Sequence, residues 1–133
     1  MRISASIDNG SHRHLASVQT NDAEKTLSIP SKTSGFGSSV NGGELLMLAL
    51  ATCFCNDIYR EAAKRGIQVS NVNVRVTGEF GAEGEPGTNF TYTAKITSDA
   101  SPELIRELLQ DTDKVAEIHN TLRKGLDVKL IIE

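Results

Sequence analysis

Apolar and polar residues alternate with a period of two over the first thirty residues. Ile3, Ala5 and Ile7 set the phase, Leu15, Ser17 and Gln19 follow it more loosely, and Leu27 and Ile29 repeat it before Pro30. Such alternation places successive side chains on opposite faces of a strand. With Asn9-Gly10 and Asn21-Asp22 as turn pairs, it predicts a meander of three short strands. Ser31 to Gly43, rich in Ser and Gly, reads as a loop. Glu44 to Arg65 then lacks Pro and Gly and is rich in Leu, Ala and Met, which predicts a helix stopped by Gly66. Its first half, Leu45 to Cys55, is apolar around nearly the whole circumference; its second half is amphipathic. A helix of that kind is wrapped by other elements.

Beyond it, Ile67 to Phe80 alternates again, with β-branched Val69, Val72, Val74 and Val76 and a slip in phase near Ser70-Asn71 that predicts a bulge. The glycine-rich turn 81–87 leads to a second strand on Phe90, Tyr92, Ala94 and Ile96, pairing with 72–80 as a hairpin. Ser101 at N-cap and Pro102 at N1 open a second helix with Leu104, Ile105, Leu108 and Leu109 on its apolar face. A short helix is expected over 114–124, ended by Gly125, and a final strand over Leu126, Val128, Leu130 and Ile132. The order βββ-α-ββ-α-α-β is an α+β plan. Five or six strands and a small helix scarcely enclose a helix roughly 33 Å long. A second copy of the chain is expected to complete the covering.

Composition narrows the class. The chain has 133 residues, which fits one domain over 1–133. Seventeen acidic and 14 basic side chains give a formal charge of -3, with no basic stripe for nucleic acid or a membrane surface. The apolar run 45–55 is half the roughly 20 residues of a spanning helix. The N-terminus shows no apolar signal segment. Two cysteines one residue apart cannot form a disulfide framework. The expectation is a soluble cytoplasmic protein.

Candidate chemistry centres on Cys53. A thiol in the apolar half of a core helix is either a small core residue or a nucleophile. It lies about ten residues into the helix, too far for the N-terminus to stabilise a thiolate. A reactive Cys53 therefore needs a cation or donor from elsewhere: His12, Arg13, His14, His119 or Arg123. Cys55 is about 200° further around the helix, so the two thiols face apart and no intrahelical disulfide forms. His12-x-His14 offers two imidazoles but no complete ligand set. The glycines at 35, 37, 42 and 43 match no phosphate-binding fingerprint. Glu44 is either a charge suited to the helix N-terminus or a carboxylate that orients an arginine beside Cys53. No cofactor and no metal is expected.

The segment from Ser39 to Gly66, with Cys53 twelve residues after Asn41, resembles the signature of the OsmC/Ohr family of osmotically inducible and organic hydroperoxide resistance proteins. Ala116 to Leu130 is similar to that family's C-terminal signature, and the order of elements matches throughout. The resemblance implies an OsmC-like fold: an antiparallel sheet wrapped around a long buried central helix, in an intertwined homodimer with active sites at the subunit interface. It implies that Cys53 attacks a peroxide oxygen, with Arg13 and Glu44 as the thiolate-stabilising pair, and that an external thiol reduces the product.

Four positions depart from the pattern. Ala116 stands where a second, resolving cysteine belongs, and Glu117 where a proline follows it. Gly42 replaces the proline after Asn41. Gly43 holds the glutamate position, so Glu44 is one residue late. The implied activity is a thiol-dependent hydroperoxide reductase working through a single cysteine in oxidative-stress defence. The alternatives are a non-enzymatic protein that binds a small apolar ligand at the dimer interface, and a Cys53 activity on another electrophile.

Overall fold

The elements run β1 (Ile3–Gly10), β2 (Arg13–Thr20), β3 (Ala23–Leu27), α1 (Gly42–Lys64), β4 (Asn71–Glu79), β5 (Thr88–Thr97), α2 (Pro102–Val115) and α3 (Glu117–Lys124). The computed structural model describes residues 1–132. This is the expected α+β order up to its last element, with three helices and two antiparallel sheets. The chain forms two compact units, Met1–Leu45 and the remainder from Leu46 onward.

In the N-terminal unit, β1, β2 and β3 form the expected antiparallel meander. Its first turn is Ser11-His12, between the paired Gly10 and Arg13, not Asn9-Gly10. Asn9 is held in the ladder by its side chain: Nδ2 donates to the Arg13 carbonyl at 3.2 Å, and Oδ1 accepts from Gly37 N at 2.9 Å. The left-handed position falls on His12, with φ of 56°. The second turn is Asn21-Asp22, as expected, with Asn21 at φ 51°.

The phase of β2 differs from the sequence reading. Register pairs Ile7 with Ala16, Ala5 with Val18 and Ile3 with Thr20, and residues directly opposite share a face. The apolar face of β2 is therefore 16, 18 and 20, not 15, 17 and 19. Ile3 and Ile7 remain exposed on it. The unit ends in a reciprocal cap at the start of α1. Asn41 Oδ1 accepts from Glu44 N at 2.8 Å, and Glu44 Oε2 accepts from Asn41 N at 2.8 Å. This capping box satisfies a helical amide that no carbonyl can reach, and fixes where the helix begins.

From Leu46 onward, packing centres on α1. Leu50, Phe54, Ile58 and Ala62, one helical turn apart, form a buried stripe. Phe54, Ile58 and Ala62 join Leu108 of α2 and Ala116 in one core cluster. Val72 and Val74 of β4 and Tyr92, Ala94 and Ile96 of β5 pack against it. The β4–β5 hairpin is as predicted, but its irregularity falls between Thr77 and Glu79, not near Ser70-Asn71. Gly78 sits there because a Cβ would stand 2.5 Å from the Phe90 ring. α2 starts as read, with Ser101 Oγ accepting from Leu104 N at 3.3 Å and Pro102 in the first turn. The third helix begins at Glu117, not 114, because the backbone turns extended at Ala116.

Leu48 of α1 is 60% exposed, in keeping with a helix that the elements of one chain do not fully enclose. One expectation is corrected. No strand forms over 126–132, where Val128 is 91% exposed. A strand exists only against a partner's amides and carbonyls, and no described residue of this chain pairs with that segment. No described helix is long and apolar enough to cross a membrane.

Candidate active site around Cys53

Cys53 lies on α1 with its thiol half-buried, and it is free, as is Cys55. One turn further along the helix is Asp57, which is only 4% exposed. The Cys53 thiol donates to Asp57 Oδ2 at 3.3 Å. The i, i+4 spacing makes this contact, since such positions stack on one face. The other carboxylate oxygen of Asp57 is 3.0 Å from Arg60 Nη1. The same nitrogen is 3.1 Å from Glu117 Oε1, at the first position of α3. Arg60 Nε also reaches Glu61, which Lys64 holds at 2.9 Å. One guanidinium thus joins three carboxylates, and one of these, Asp57, carries the thiol.

The electrostatics follow from this placement. Burial pushes the Cys53 thiol above its ordinary pKa; the Ile118 backbone N–H opposes it, and the hydrogen bond and charge of Asp57 add to the rise. Burial also raises the Asp57 carboxyl, while the bond from Cys53 pulls it down and the Glu117 charge pushes it up. Glu117 is lowered, chiefly by the helix backbone N–H at its own position and further by Arg60. Cys53, Asp57 and Glu117 bring three potential ligand atoms within 4.8 Å of one another. Arg60 is the cation bound to both carboxylates.

The residues singled out in the sequence are distributed differently. Arg13 is on β2, paired with Asp8 at 2.9 Å on the surface. Glu44 closes the capping box of α1. His12 occupies the β1–β2 turn, and His14 Nδ1 lies 3.1 Å from Asn9 Nδ2. Arg123 bonds Asp113 at 2.6 Å and the Tyr92 hydroxyl at 3.3 Å, and Tyr92 in turn donates to Asp113.

His119 is 4% exposed, with its ring centroid 4.5 Å from Tyr92 and 5.6 Å from Phe54. Neither ring nitrogen has a partner. Burial first, and then Arg123, hold its pKa below the ordinary value, which favours the neutral ring. With Leu50, Val76, Phe90, Leu122 and Arg123, it lines a cavity of about 120 Å³.

The group in contact with Cys53 is therefore a carboxylate, where the reactive reading expected a cation. Asp57 and Arg60 were legible as an i, i+4, i+7 series from Cys53 on one helix. Glu117 was not, because it arrives from α3, more than fifty residues on.

Fold and site together define an α+β protein built on one long helix that presents a single free thiol to a buried carboxylate. The sequence profile of the OsmC-like proteins matches residues 35–131. The chain belongs to the OsmC-like protein family.

Solved structures share the fold. An OsmC-like protein from Mycoplasma pneumoniae is 22% identical, with TM-score 0.63, over 92% of this chain and 86% of that one. An organic hydroperoxide resistance protein from Legionella pneumophila is 21% identical, with TM-score 0.62, over 97% and 94%. An OsmC-like hydroperoxide resistance protein from Jannaschia sp. is 16% identical, with TM-score 0.60, over 98% and 91%. No curated protein matches the chain by sequence.

Proposed function

We propose that this protein is a single-cysteine, thiol-dependent hydroperoxide reductase of the cytoplasm, acting in oxidative-stress defence. The observation that carries the reading is the free thiol of Cys53, at the position that matches the family's nucleophile and bonded to a buried carboxylate. The sulfur attacks the distal oxygen of an organic hydroperoxide. The O–O bond breaks, an alcohol leaves, and Cys53 becomes a sulfenic acid. With Ala116 in the resolving position, an external thiol attacks the sulfenic sulfur and releases water. A second external thiol then frees Cys53 and leaves as the disulfide of the reductant. The resemblance assigns stabilisation of the thiolate to Arg13, oriented by Glu44; Arg13 here pairs with Asp8 and Glu44 closes the α1 cap, so the reading rests on neither.

Intact mass after one equivalent of cumene hydroperoxide, with and without dimedone, tests it. The expected result is one dimedone adduct in the wild type and none in Cys53→Ser. A folded wild type that gives no adduct, and whose Cys53 resists alkylation, rejects the reductase.

The working unit is proposed to be a homodimer. Exposed Ile3 and Ile7 on the meander, Leu48 on α1 and the apolar segment 126–132 leave more open apolar surface than a monomer tolerates. Sedimentation equilibrium should give twice the chain mass of 14.3 kDa. A mass of one chain at micromolar concentration rejects the dimer.

A second reading rests on the cavity beside His119. Its apolar walls and unpartnered imidazole would suit a small apolar ligand with one polar end. Native mass spectrometry of freshly purified protein distinguishes the two, since a retained small molecule favours the binder.

A further inference from the structure

The contact between Cys53 and Asp57 carries a consequence for how the thiol is activated. A nucleophilic cysteine is ordinarily prepared as a thiolate by a neighbouring cation. Here the neighbour is an anion, 3.3 Å away, and the thiol points its proton at it. An Asp in the middle of a buried helical stripe is costly unless paired. This one is paired on both oxygens, with Arg60 on one and the thiol on the other. Pairing to Arg60 alone would account for a structural role, but it leaves the orientation of Oδ2 toward sulfur unexplained.

We propose that Asp57 is the proton acceptor of Cys53. Its carboxylate takes the Sγ proton as sulfur bonds to the distal peroxide oxygen, and gives that proton to the alkoxide that leaves. The products are the sulfenic acid and an alcohol, and Asp57 ends as it began. This step rests on the reading of Cys53 as the peroxide-reducing nucleophile.

Every charged neighbour of Asp57 bears on its proton affinity. Arg60, on the same helix, favours the carboxylate. Glu117, on α3, disfavours it, and burial does so more strongly. His119, also on α3, interacts with Asp57 more weakly, and its own burial disfavours its charged form. Asp57, Glu117 and Glu61 share the Arg60 guanidinium, and Lys64 offsets only Glu61, so the group retains a net negative charge and one of its carboxylates holds a proton more readily than an exposed Asp. Glu117 is stabilised as the anion by its place at the helix start, which leaves Asp57 as the member that takes the proton. Arg60 and Glu117 are positioning residues.

The test compares wild type with Asp57→Asn in two reactions of the same thiol. Alkylation by iodoacetamide requires only thiolate. Oxidation by cumene hydroperoxide, trapped with dimedone, also requires a proton to be delivered to the leaving oxygen. Removing the negative neighbour should speed alkylation at neutral pH several-fold. Removing the acceptor should slow oxidation about tenfold or more. A role confined to anchoring Arg60 would move both rates in the same direction, and that result overturns the proposal.

The wild type supplies a second readout that does not depend on the variant folding. With Asp57 as acceptor, the oxidation rate is nearly flat between about pH 6 and pH 8. With preformed thiolate alone, it climbs about tenfold per pH unit, and such a climb overturns the proposal. Oxidation of the wild type with an unchanged rate in Asp57→Asn rejects Asp57 and leaves the reductase standing. A wild type inert to peroxide rejects both.

Discussion

Ile58→Ala is expected to destabilise the protein by about 2–5 kcal/mol. Ile58 is fully buried on α1 and belongs to the same cluster as Phe54, Ala62, Leu108 and Ala116. Three carbons leave a site closed by side chains from α1 and α2, with strand residues packed behind them. Those neighbours belong to regular elements and can follow the lost volume only in part. The loss therefore combines the transfer of the missing methyl groups with a cavity that stays open. Ile58→Val, which removes one methyl group, should cost about 0.5–1.5 kcal/mol. The measurement is urea unfolding at matched protein concentration, because the proposed dimer would make apparent stability depend on concentration. The midpoint should fall with the slope unchanged. A loss below about 1 kcal/mol for the alanine variant would show that this site collapses around the deletion.

The second large effect is a dependence of stability on pH that originates at His119. Its ring is buried against Tyr92 and Phe54 with both nitrogens unpartnered, and its pKa lies below the ordinary 6.5. In the unfolded chain the imidazole takes up a proton as pH falls through that value; in the folded chain it does so only at lower pH. The unfolded state then binds more protons, so stability falls with falling pH. The slope reaches at most about 1.4 kcal/mol per pH unit and persists down to the folded-state pKa. Above the ordinary value, His119 contributes no slope. Asp57, whose folded pKa is raised, acts with the opposite sign as pH falls toward the carboxylate range, so the window for His119 opens as pH falls through the ordinary imidazole value. His119→Phe keeps an aromatic ring in the slot and removes the titrating group. Denaturant midpoints across that window should flatten in the variant. An equal slope in both proteins would assign the dependence to other groups.

A buried, neutral imidazole also bears on the second reading of function. His119 lines a cavity with mostly apolar walls, and both its nitrogens are buried without a partner among the described residues, so a polar atom brought to one of them would meet little competition from water. Binding of such a ligand should therefore weaken on protonation of the ring or on its replacement by phenylalanine. The chemistry proposed for Cys53 rests on Asp57 and should be far less sensitive to the same replacement.

How much of this was legible beforehand differs from element to element. Local patterns carried the meander, the long helix, the hairpin and the Ser101-Pro102 start of α2, because each depends on side chains close in sequence. The boundary of α1 is set by Asn41 and Glu44, three residues apart. Where reading along the chain went astray, a distant partner decided. The face of β2 that is apolar depends on register with β1, and register comes from pairing across a turn. The bulge at Gly78 depends on where the Phe90 ring lies on the opposite strand. The segment 126–132 has the alternation of a strand but no described partner in its own chain.

The site divides in the same way. The sequence alone determined the family resemblance, the choice of Cys53 over Cys55 as the candidate nucleophile, and the absence of a resolving thiol at Ala116. These rest on residue identity and on spacing within one helix. The tertiary structure alone decided that the thiol meets a carboxylate, that Arg60 joins Asp57 to Glu117 of another helix, and that His119 is buried against the rings of Tyr92 and Phe54. The proton affinity of a buried group is set by what folding brings within a few ångströms of it, and distance along the chain does not encode those contacts.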